Sequence, residues 1–105
     1  MKFINLTPHK INVIGGTSSR EFPPSGTVAR CGQIRQCESY LEGVAIFTCA
    51  FGPVEGLPEP APRTLYIVSS LVRQAEPNRT DLLSPAELIR DEDGNVIGCK
   101  GFDTN

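Results

Sequence analysis

At 105 residues, with 39% hydrophobic and 21% charged content, the chain suits a single domain (1–105) with a small packed core. Its net charge of −2, with no basic block, argues against a nucleic-acid polymer as partner. No apolar run approaches the roughly 18 residues of a membrane span. The opening MKFINLTPHK also lacks the apolar core of a signal peptide, so a soluble, cytoplasmic protein with no membrane partner is expected.

Lys2–Leu6 reads as a first strand, broken by Thr7-Pro8-His9, and Ile11–Ile14 resumes as a second. Gly15–Arg20 is a turn or loop tip, and Glu21-Phe22 a short strand ended by Pro23-Pro24. Thr27–Cys31 predicts the next strand, with Gly32 bulging it before the weaker pattern of Gln33–Tyr40. Leu41-Glu42-Gly43 is a turn. Val44–Phe51 is the most hydrophobic run in the chain and predicts a central strand. Gly52–Pro62, GPVEGLPEPAP, holds four of the nine prolines and predicts a rigid irregular connection. Ordered loops of this length usually have a function.

Arg63–Thr80 is the stretch around which the rest is organised. Thr64–Val68 predicts a buried strand, Ser69 and Ser70 a helix start, and Leu71–Glu76 a short helix halted by Pro77. Asn78–Ser84 reads as a loop. Leu88–Arg90 and Val96–Lys100 flank DEDGN (Asp91–Asn95), a hairpin signal through Asp93-Gly94. Phe102–Asn105 is expected to fray, Phe102 excepted. The sum is a mainly β (α+β) domain: a small antiparallel barrel- or sandwich-like sheet of short strands, with one short helix near 70–76. So small a core favours a homo-oligomer.

A strand entering a short helix gathers free backbone N–H groups at one point, with Arg63, Arg73 and Arg79 nearby in sequence. That combination suits a phosphate. Arg73 and Arg79 would be forked donors, with Ser69 and Ser70 at the helix start. Arg79-Thr80-Asp81 offers donor, hydroxyl and acceptor in succession, fitting a phosphate beside a ribose hydroxyl. Phe51, Tyr66 and Phe47 are candidates for an aromatic wall, with at least two of them expected in the core instead. Arg30 is a further candidate contact. The plain alternative is a capped helix whose arginines make surface pairs worth ~0–1 kcal/mol each.

Catalysis has little to stand on. The lone histidine, His9, sits in a turn, and no nucleophile elbow accompanies any serine. Cys31, Cys37, Cys49 and Cys99 have no metal-site spacing, so no cofactor or metal is expected. They read as free thiols, two or three of them in the core.

NLTPH (Asn5–His9), PPSGTVAR (Pro23–Arg30) and FGPVEGLPEP…TLYIVSSLV (Phe51–Val72) resemble small proteins encoded by bacteriophages and prophages. NRTDLLSP (Asn78–Pro85) and GNVIGCKGF (Gly94–Phe102) extend the resemblance over most of the chain. Proteins of that kind and size are often inhibitors of host defence. One class similar in scale comprises oligomeric sponges that trap the cyclic nucleotide signals of systems such as Thoeris or CBASS. The resemblance therefore implies a non-enzymatic anti-defence protein that sequesters a small phosphate-bearing nucleotide. The alternatives are a protein-binding inhibitor of a host immune effector, anti-CRISPR-like, using Gly52–Pro62 with Glu55, Glu59 and Asp91–Asp93, and, third, a nucleotide-cleaving enzyme.

Overall fold

The computed structural model describes residues 1–15 and 18–105. Gly16 and Thr17, within the expected Gly15–Arg20 turn, lie outside the described residues. The β-branched and aromatic run at the centre of the chain forms β6 (Thr64–Ile67), which has Thr64, Tyr66 and Ile67 buried. β1 (Lys2–Asn5) pairs with it in parallel on one side and β7 (Leu82–Arg90) in parallel on the other. β7 turns through Asp91–Asn95 into antiparallel β8 (Val96–Thr104), as the Asp-Gly signal predicts. β2 (Ile11–Ile14) joins β8 in parallel, and β3 (Ser19–Phe22) closes the row antiparallel to β2.

The expectation of a mainly β domain with one short helix holds. The six-stranded sheet, ordered β1-β6-β7-β8-β2-β3, is mixed rather than antiparallel throughout, and it is open. Its edges β1 and β3 nevertheless approach each other. A side chain spans the gap where a strand ladder would close a barrel: Asn5 Nδ2 donates to the Phe22 carbonyl at 2.9 Å. Phe22 packs on Phe3 and Phe102, and the guanidinium of Arg20 lies over both the Phe3 and Phe22 rings.

Asn5 is 3% exposed and fully used. Besides Phe22, its amide donates to the His9 carbonyl, while Oδ1 accepts from Thr7 N and Thr7 Oγ1. The Asn5 carbonyl takes both the Ser25 N–H and the Ser25 hydroxyl. NLTPH and PPSG thus meet as one hydrogen-bonded clasp, in which His9 serves through its backbone.

The remaining strands stand apart. β4 (Arg30–Leu41) and β5 (Val44–Glu55) form a separate two-stranded hairpin. Glu42 and Gly43, with φ of 51° and 80°, make the tight two-residue turn that fits the strand twist. The register shifts at Gly32, as expected, and again at Glu38. Val44–Phe51 is therefore not a central strand: it lies in an exposed arm. Thr27–Ala29 precedes β4 as extended chain rather than strand, and Gln33–Tyr40 is fully strand. Pro53 is tolerated in β5 because a two-stranded ribbon consists of edges only.

The core lies at the arm's root. Leu6, Ala29, Tyr66, Val68, Val72 and Leu82 cluster there, with Cys31, Val54 and Leu57 packed against them. Of the cysteines only Cys99 is fully buried, and Cys37 and Cys49 are exposed on the arm, fewer in the core than expected. Likewise Tyr66 alone of the three aromatic candidates is core, and Phe47 and Phe51 are exposed. No helix among the described residues is long and apolar enough to cross a membrane.

Candidate ligand-binding site around the short helix

α1 (Ser70–Ala75) follows β6 after Val68 and Ser69. Ser69 is the N-cap: its backbone is extended, and its hydroxyl accepts from the Val72 N–H at 3.3 Å. Ser70 is exposed in the first turn. Val72 drives into the core, and α1 lies against both strands of the arm near the root. Arg30 stands opposite Glu55 at the base of the ribbon, and Phe51, opposite Gln33, is exposed beyond it.

The two arginines that flank the end of α1 are held by protein partners. Arg73 Nε donates to the hydroxyl of buried Ser84 at 2.8 Å, and its Nη1 to Asn105 Oδ1 at 3.2 Å. Arg79 grips Asp81 in a two-point fork, Nε to Oδ1 and Nη2 to Oδ2, both at 2.8 Å. The same Nη2 also donates to the Pro58 carbonyl at 3.0 Å. Arg79 thus ties the proline-rich connection to the start of β7. Thr80, between the forked residues, is exposed.

Hydrogen bonding to Arg79 holds the Asp81 carboxyl below its ordinary pKa, against the opposing effect of partial burial. Arg79 is pushed up, first by its hydrogen bond to Asp81, with Glu59 and Glu76 contributing to the surrounding negative potential. Three carboxylates therefore face one guanidinium. Nη1 of Arg79 and Nη2 of Arg73 nevertheless have no protein acceptor among the described residues.

Two participants were not anticipated. Asn105, expected to fray, extends from β8 and caps the end of α1. Its amide nitrogen lies within 3.1 Å of the Arg73, Glu76 and Arg79 carbonyls. Ser84, read as loop, lies in β7, where its buried hydroxyl orients Arg73. Nothing local marks either one, since both act across the fold. The Arg79–Asp81 pair did have a signal, because opposite charges two residues apart can meet directly.

The structure thus places Arg73, Arg79, Thr80 and Asp81 near the end of α1 and Ser69 and Ser70 at its start, whereas Arg30 lies at the base of the arm and Phe51 farther out along it. The main hollows of the described surface are lined by other residues. The clearest, a groove of about 350 Å³, runs between β2 and the β7–β8 hairpin, along Ile11, Asn12, Leu88, Ile97 and Cys99. Among the described residues no His, Cys, Asp and Glu side chains converge as metal ligands. The chain matches no family model, no curated protein and no solved structure.

Proposed function

We propose that the protein is a phage-encoded anti-defence factor that binds a small phosphate-bearing, cyclic nucleotide in the host cytosol and sequesters it without breaking a bond. The observation that carries this reading is a pair of prefixed guanidinium groups. Arg73 and Arg79 are oriented by Ser84, Asn105 and Asp81, yet each keeps N–H donors with no acceptor among the described residues, open to an incoming anion. Donors fixed in advance lose little entropy on binding. The three carboxylates around Arg79 limit how much negative charge the site accepts. A phosphodiester, with one charge per phosphate, fits that field better than a doubly charged terminal phosphate. Free lone pairs on Asp81 suit a ribose hydroxyl, and exposed Phe51 suits a base face.

The test is calorimetry against a panel of cyclic dinucleotides and their linear forms, followed by mass spectrometry of ligand released on heating. Intact nucleotide is expected; a cleaved product would identify an enzyme instead. Arg79→Ala should weaken binding at least tenfold, about 1.4 kcal/mol, as loss of a charge-assisted pair implies. Unchanged affinity in that variant removes Arg79 from the site.

The second reading, a protein-binding inhibitor, is favoured by exposed Pro58–Pro62 together with Glu55 and Glu59, a rigid acidic rim at the arm's root. It predicts co-purification with a host protein and no thermal shift with any nucleotide.

A further inference from the structure

From Leu57 to Pro62 (LPEPAP) every residue is a proline or precedes one. Each proline holds φ at about −65°, and each residue before a proline is confined to extended backbone. Local chemistry therefore drives the segment to a polyproline II rod of about two turns, ~19 Å long at about 3.1 Å per residue. In the fold Leu57–Ala61 is neither helix, strand nor turn, and none of the six residues takes a positive φ. Leu57 packs against the core, and Pro58 to Arg63 are all exposed. Three side chains fasten the rod by its backbone. Arg79 Nη2 donates to the Pro58 carbonyl, Tyr66 Oη to the Glu59 carbonyl and Thr64 Oγ1 to the Pro62 carbonyl, each at 3.0 Å. The carbonyls of Pro60 and Ala61 accept nothing among the described residues.

We propose that Leu57–Arg63 is a docking ridge for a protein domain with an aromatic-walled groove of the kind that receives polyproline II segments. The rod enters such a groove already extended and tethered, so little conformational entropy is lost on binding. Three residues make one turn and the prolines alternate, so their rings point to successive faces rather than along one. The ridge thus offers single steps, Glu59-Pro60 and Ala61-Pro62, each a flat ring beside an unengaged carbonyl that suits a Trp or Tyr donor. Charge narrows the partner further. Glu59 is exposed in the middle of the ridge and Arg63 at its end. A groove with a cation opposite the first and an acid opposite the second takes the ridge in one direction only. Exposed Glu55 and Glu59, with a net charge of −2, count against a nucleic acid or an anionic lipid surface as the occupant.

This inference rests on the protein-binding reading above and does not depend on nucleotide capture. It is tested by titrating the isotope-labelled full chain with purified WW, SH3 and EVH1 domains while its amide resonances are followed. At least one domain should bind saturably below millimolar concentration, shifting the amides of Glu59, Ala61 and Arg63. Pro60→Ala and Pro62→Ala together should weaken that complex by about tenfold, through lost ring contact and lost rigidity. Both prolines are exposed and outside the core, so the β6 and β7 amides of the double variant should keep the positions they have in the parent. Binding by no domain of the panel overturns the proposal. So does a complex whose shifts map to the β4–β5 arm, or one that survives the loss of both prolines. A host protein that co-purifies equally with the parent and the double variant keeps protein binding but overturns the ridge as its site.

Discussion

Asp81 shows how one pairing couples local chemistry to stability. Its carboxyl is lowered below the ordinary value by the Arg79 fork. A carboxylate depressed in the folded state stabilises the fold above its unfolded value, near 3.9, and that contribution is lost as pH falls through the folded value. Asp81→Asn should therefore cost about 1 kcal/mol at pH 7, lowering Tm by about 4–8 °C. The deficit relative to the parent protein should shrink as pH falls below about 4, where the parent loses the same contribution. Thermal melts of both proteins from neutral to acid pH would check this, and parallel curves would show that the fork contributes nothing. That fork takes two of the five N–H groups of Arg79 and the Pro58 carbonyl a third, so a ligand meets a partly satisfied, rigid donor rather than a free one.

At the scale of elements, the junctions matter more than the strands they join. Gly56 ends β5 with φ of +78°, and a Cβ there would collide with the Val28 carbonyl. Both the backbone conformation and the close approach exclude a side chain. Gly56→Ala should cost about 2–3 kcal/mol, read as a lower urea midpoint with an unchanged slope. The Asn5 clasp is the second such junction. Asn5→Leu removes a buried group with four hydrogen bonds and strands the partners that donated to or accepted from it. A loss of about 3 kcal/mol is expected in the same titration, and a loss below 1 kcal/mol would mean that water replaces the amide. NLTPH and PPSG thus have a structural use: they hold the β1 and β3 edges together. His9 enters that network through its backbone, its carbonyl accepting from Asn5 and Thr7 and its N–H donating to Thr7 Oγ1.

The molecule as a whole divides into a curled mixed sheet, a core beneath α1, and the arm. Stability should divide the same way, because protection from exchange follows burial. Amides of β6 and the start of β7 should exchange slowest, since Tyr66, Ile67 and Leu82 are buried on a paired strand. Amides from Gln33 to Phe51 should exchange fastest among the strands, because that stretch lies in a separate, exposed two-stranded hairpin. Protection there equal to that of β6 would mean the hairpin is stable alone.

Local chemistry was enough for much of this. The buried strand Thr64–Ile67, the Ser69 cap, the α1 span, the Asp93-Gly94 hairpin and the Glu42-Gly43 turn are each written in a few adjacent residues. The reason is that propensity, capping and turn geometry are short-range. Hydrophobicity alone misplaced Val44–Phe51, because an apolar run does not record where in the fold its strand lies, and here it forms an exposed ribbon outside the main sheet. Asn105 on the end of α1, Ser84 on Arg73 and the Asn5 bridge between sheet edges depend on contacts between distant parts of the chain. Such hydrogen bonds leave no periodic trace in sequence, so only the folded chain decides them.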